Sequence, residues 1–274
     1  MKKIVVLVLS FLALSVPEAL SDELLAYRDS VKQGYNFFLY VPDRYKETEE
    51  SLPLVVFLHG KSLSGSDLNK VTRYGSIDAL RRGVPIDALV LAPQCNTTSG
   101  WTARTVMNTV DYVCDRYRVD QNRIYVFGIS MGGWGTFKVV AAYPDRIAAA
   151  IAMCGGFTGD VEPLTSVPLW IIHGTDDDVT PFSYSTSIVK KMVATGKADR
   201  LQTTWLSGCD HSILARVFLL KQAYQWLFEH RLSTPRRPCN REYDISPSDL
   251  NQAYVGLTSP QGNLPVTVPG KKTR

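Results

Sequence analysis

Ile124-Tyr125-Val126-Phe127-Gly128-Ile129-Ser130-Met131-Gly132-Gly133 is the stretch on which the fold turns. It opens as an aromatic and β-branched run, the composition of a buried strand. It then meets Gly128-Ile129-Ser130-Met131-Gly132, a G-x-S-x-G pattern. Residues 131–143 follow, small and apolar, and stop before Pro144, as a helix does. A strand that becomes a helix within one residue needs a very sharp turn. The serine must stand in a strained conformation with Oγ exposed, and glycines two places either side keep side chains clear of the neighbouring backbone. The helix N-terminus brings its partial positive charge to the same point.

Outward from this turn the pattern repeats. Residues 54–58, 88–92, 147–153, 169–172 and 201–206 are further apolar runs, the first before His59-Gly60, the second before Pro93-Gln94 and the fourth before His173-Gly174. Residues 35–41 make another, ended by Pro42. Continuous rather than alternating runs suit strands covered on both faces. Between them Val106, Val110, Val113 and Tyr117 recur at helical spacing, and residues 183–194 and 212–230 read as further helices. Alternation of strand and helix predicts an α/β fold, a mostly parallel twisted sheet with helices on both faces.

The ends read differently. Lys2 and Lys3, the apolar run 4–14 and the small residues Ala19 and Ser21 predict a signal peptide over 1–21, with a secreted or periplasmic product. Residues 22–232 form the expected catalytic-size domain, about 210 residues, one core and not two. Residues 233–274 are a proline-rich polar extension, read as an arm laid over the domain or a partly disordered tail. The net charge of +4 sits in these ends: 1–21 carries +1 and 233–274 carries +3, which leaves the domain neutral. A neutral domain argues against nucleic acid as partner, and no segment after the first is apolar enough for stable membrane insertion. Five cysteines, Cys95, Cys114, Cys154, Cys209 and Cys239, leave at least one unpaired. The absence of a CxxC pair argues against a zinc site, and no cofactor or metal is expected. Asn96-Thr97-Thr98 is a glycosylation sequon, of consequence only in a eukaryotic secretory route.

Residues 54–60, 92–94, 128–133, 173–181 and 209–212 together resemble the esterase branch of the α/β-hydrolase fold: the polyhydroxybutyrate depolymerase and feruloyl-esterase-like proteins and the prolyl-oligopeptidase-type peptidases. The resemblance spans roughly residues 33–230 and implies an α/β-hydrolase fold with little or no cap. It also implies the chain order nucleophile, acid, histidine. Ser130 is then the nucleophile. His211, on the loop between the last strand and the last helix, is its base; His59 and His173 end strands and are structural, and His230 closes a helix where a cation suits the dipole. The acid lies in Asp176-Asp177-Asp178. Its usual place three residues after the glycine selects Asp177, with Asp176 and Asp178 as the alternatives; Asp210, beside His211, is poorly placed to face it. The oxyanion donors are the amide of Met131 and that of Lys61 or Ser62. Trp101 and Trp134 are candidate walls of a substrate pocket, or packing residues. The activity implied is hydrolysis of a small or polymer-borne carboxylic ester, with peptide hydrolysis as the alternative and a non-catalytic binding protein as the reading from another class.

Overall fold

The computed structural model describes residues 22–239, 241–259 and 266–269. The expected signal segment, 1–21, lies outside them, as does part of the C-terminal extension. Among the described residues nine strands form one sheet: β1 (Glu23–Tyr27), β2 (Asn36–Val41), β3 (Leu52–Leu58), β4 (Leu89–Gln94), β5 (Val119–Ile129), β6 (Ala149–Met153), β7 (Leu169–Gly174), β8 (Leu201–Leu206) and β9 (Val266–Thr267). Their order is β8-β7-β6-β5-β3-β4-β2-β1-β9. The run from β8 to β4 is parallel throughout, and β2 joins β4 and β1 antiparallel.

The helices are α1 (Arg44–Glu47), α2 (Ser76–Arg81), α3 (Ala103–Cys114), α4 (Met131–Ala142), α5 (Ser183–Ala194), α6 (Lys221–Phe228) and α7 (Pro247–Gln252). They cover both faces, so the alternating side chains of β3 enter two different cores: Val55 and Phe57 pack on one side, Leu54, Val56 and Leu58 on the other. That is why the central strands read as unbroken apolar runs. Each such fully buried side chain is worth about 1.5–3 kcal/mol of transfer free energy. Among the described residues no helix is long and apolar enough to cross a membrane.

Two expectations change. Residues 212–230 are not one helix: a 3-10 segment, Ile213–Leu219, ends at an extended Leu220 before α6 begins. His230 is not a helix-closing cation. It is buried, its Nδ1–H is donated to Trp226 O at 2.8 Å, and burial holds its pKa below the ordinary value, so it is neutral. The described part of the extension lies on the domain: Ile245 and Leu250 are buried in the same core as β3 and α6. None of the five cysteines is disulfide-bonded.

Candidate active site

The turn at the end of β5 has the predicted strain. Ser130 sits at φ 57°, ψ −121°, outside the regions open to ordinary residues, and Met131 begins α4 directly. Two glycines make the bend sterically feasible. A side chain at Gly128 would collide with the carbonyl of Gly132, and one at Gly132 with the carbonyl of Leu58. The turn is tied to the next strand by Ser130 N–H donating to Met153 O at 2.9 Å.

Ser130 opens into a cleft of about 380 Å³, shared with Gly60, Lys61, Tyr74, Val179 and His211. The structure therefore brings together on one wall set the serine and histidine that lie 81 positions apart in sequence. His211 Nδ1 is 2.7 Å from Asp177 Oδ2. A carboxylate only accepts, so Nδ1 carries the proton and Nε2 keeps its lone pair, as a base requires. Asp177 is buried. Its second oxygen, Oδ1, accepts the Val179 and Thr180 amides at 2.9 and 2.7 Å, which fixes the carboxylate within its loop. Asp176 and Asp178 are exposed. Asp210 does not face the imidazole either. Its Oδ1 accepts the amides of Ser212 and Ile213, each at 2.9 Å, and these bonds, Ile213's first, lower its pKa.

Two helix-start amides lie near Ser130. Met131 is the first residue of α4, and Lys61 the first of the 3-10 turn Lys61–Leu63. First-turn N–H groups have no acceptor within their own helix, so both are available to a ligand. The Lys61 side chain is exposed, and the residue lines the cleft. The strand end before it is held by His59: Nδ1–H donates to Gly60 O at 2.7 Å and Nε2 accepts Cys95 N–H at 3.0 Å. Both ring nitrogens are satisfied only in the neutral form, and burial lowers the His59 pKa to about 4.

Trp101 is not a pocket wall. It is 2% exposed, donates Nε1–H to His59 O at 3.1 Å and packs edge-on against the His59 ring, so it supports the strand end from behind. Trp134 is half-buried, edge-on to Tyr184, and outside the cleft's lining. The residue that sequence reasoning passed over is Tyr74, which lines the cleft and whose Oη accepts Gly60 N–H at 2.8 Å. A lone tyrosine outside any motif carries no local signal. Among the described residues, Cys154, Asp177 and His211 offer ligating atoms within 4.8 Å of one another. The Asp177 and His211 atoms are committed to each other, and complete burial pushes the Cys154 thiol well up in pKa, so the group is a hydrogen-bonded pair above a protonated thiol.

A serine on the strand-to-helix turn of β5, an acid after β7 and a histidine after β8 define the class: this chain has the α/β-hydrolase fold. Its relatives narrow the likeness. The prolyl oligopeptidase family matches residues 96–160, a stretch that holds the Ser130 turn. The bifunctional acetylxylan esterase/xylanase XynS20E of Neocallimastix patriciarum is 26% identical over 173 residues, covering 60% of this chain and 24% of that protein. A thermostable esterase superposes with a TM-score of 0.65 at 29% identity, over 77% of this chain and 63% of the other. A ferulic acid esterase matches with a TM-score of 0.60 at 15% identity, over 77% and 99% of the two chains, a likeness of fold. The chain spans between 24% and 46% of the length of the curated relatives it matches first.

Proposed function

We propose that this protein is a serine esterase that cleaves carboxylic esters through an acyl-enzyme. The observation that carries the reading is the 2.7 Å contact between His211 Nδ1 and Asp177 Oδ2 at the wall of the cleft that Ser130 enters. Ser130 Oγ attacks the ester carbonyl while His211 Nε2 takes its proton. Asp177 holds the tautomer and stabilises the imidazolium. The Met131 and Lys61 amides receive the charge that develops on the carbonyl oxygen. His211 then protonates the leaving alcohol, and water, activated by the same histidine, releases the acid.

The acyl-bearing substrate is a small ester or an acetyl or feruloyl group carried on polysaccharide, and the protein is exported. The likeness to an acetylxylan esterase supports the first statement and the character of residues 1–21 the second. A second reading, peptide hydrolysis by the same residues, is favoured by the match of residues 96–160 to the prolyl oligopeptidase family.

A fluorophosphonate probe should label the parent and not Ser130→Ala. An unlabelled parent sinks the hydrolase reading and leaves a binding protein. His211→Ala should lower turnover by on the order of 10³-fold or more with the fold intact. Nitrophenyl acyl esters, methyl ferulate, acetylated xylan and peptide amides compared on one preparation separate the readings: turnover of amides alone overturns the esterase assignment.

A further inference from the structure

The carboxylate that faces His211 has a second histidine on the same oxygen. His173 Nε2 lies 3.3 Å from Asp177 Oδ2, in a ring that is completely buried. The same Nε2 is 2.9 Å from Thr180 O, and Nδ1 is 2.7 Å from Ser185 Oγ. A carbonyl only accepts, so Nε2 carries the hydrogen and Nδ1 is the acceptor, filled by the Ser185 hydroxyl. One neutral ring thus touches the end of β7, the far side of the acid loop at Thr180 and the first turn of α5, and its single Nε2–H, donated to Thr180 O, lies beside Asp177 Oδ2. Burial keeps the ring's pKa below the ordinary value, in accord with a neutral donor.

We propose that His173 is a positioning residue of the catalytic site: its neutral Nε2–H draws on Asp177 Oδ2 and so sets how strongly that oxygen holds the proton of His211. The inference rests on the esterase reading above. The physical logic is a competition. A carboxylate oxygen that receives one hydrogen bond has less charge to offer a second donor. Removing the His173 donor leaves Oδ2 to His211 alone, the imidazolium becomes more stable, and the base is protonated over a wider acid range. The other titratable groups around the pair do not change in such a variant: Asp176 and Asp178 on the acid loop, exposed to solvent; Cys154 at the end of β6, protonated; Asp210 beside His211, engaged by the Ser212 and Ile213 amides; and Lys61 across the cleft.

The test compares His173→Phe and His173→Gln with the parent by the pH profile of kcat/KM on a nitrophenyl ester. Phenylalanine keeps the aromatic shape that packs edge-on against Phe182 but has no donor; glutamine places a neutral N–H near the position of Nε2. The acid limb should move up by about half to one pH unit in His173→Phe and return toward the parent in His173→Gln. A folded His173→Phe with the parent's acid limb, or equal shifts in both variants, overturns the proposal. Should neither variant fold, nitrogen NMR of the parent's histidines decides. His173 must be the neutral Nε2–H tautomer at neutral pH, with a resonance that moves as His211 titrates. An Nδ1–H tautomer, or a resonance indifferent to His211, overturns it as well. A parent with no Ser130-dependent turnover would remove the esterase reading and this inference together, whereas a flat comparison on an active parent removes the inference alone.

Discussion

Tyr74 Oη accepts the amide of Gly60, one residue before Lys61, which lines the cleft. Its ring packs edge-on against Phe57 of β3, so the anchor is fixed to the sheet and not to a mobile surface. Tyr74→Phe keeps that packing and frees the Gly60 N–H. Since a displacement of a fraction of an ångström in an oxyanion donor is costly, kcat/KM should fall about tenfold or more, while the melting temperature moves by only a few degrees. Steady-state kinetics with a thermal melt on the same sample checks both, and an unchanged kcat/KM would mean the loop is held by other contacts. Residue identities at this scale were unequally legible. Ser130 announces itself because its strain can be met only by a particular pattern of glycines around it. His211 and Asp177 follow from the chain order and spacing that the resemblance implies, and of the three adjacent aspartates Asp177 is the buried one. Tyr74 and Trp101 have no such local constraint: the first reached the cleft, and the second was hidden behind His59, through tertiary packing alone.

At the scale of elements, α7 is instructive. It begins with a capping box in which Ser246 Oγ accepts Asp249 N–H at 3.2 Å and Asp249 Oδ2 accepts Ser246 N–H at 2.7 Å, with Pro247 at the first helical position. Its one fully buried residue, Leu250, enters the core that holds β3 and α6. Leu250→Ala should therefore destabilise the whole domain, by about 2–5 kcal/mol. A single cooperative urea transition, shifted to lower concentration, is the expected result; a tail that melts alone with the domain unchanged would contradict it. The six runs that read as strands from 54 onward were legible because helices cover both of their faces. β1 was not, since Glu23-Leu24-Leu25-Ala26-Tyr27 is a short stretch of good helix formers and becomes a strand only through pairing with β2. The break at Leu220 escaped for a similar reason: nothing in the local residues forbids a helix there, and the extended backbone is set by packing.

The whole molecule carries three buried neutral histidines, His59, His173 and His230, each with its pKa lowered chiefly by burial. Unfolding exposes them to water, where the ordinary value is 6.5. The unfolded chain therefore binds more protons than the folded one below that value. The stability they support is present above pH 6.5 and is lost as pH falls below it, for His59 down to about 4. For His59 alone the loss by pH 5 is about 2 kcal/mol, at 1.4 kcal/mol per unit, and the other two act in the same direction. Urea titrations near neutrality and at about pH 5 should show that decrease; a flat profile would mean that the rings take up protons without leaving the core.

The C-terminal segment meets the sheet at both of its margins. Near β8, Gln202 Nε2–H reaches Tyr243 O and Thr204 Oγ1–H reaches Asp244 Oδ1; beyond β1, Val266 and Thr267 add the two-residue strand β9. Open margins are where one protein molecule recruits another into a continuous ribbon. Here the β1 margin is hemmed by a strand too short to template a newcomer. Remove that hem and the purified chain would become prone to joining copies side by side, a colloidal defect with no counterpart in its chemistry.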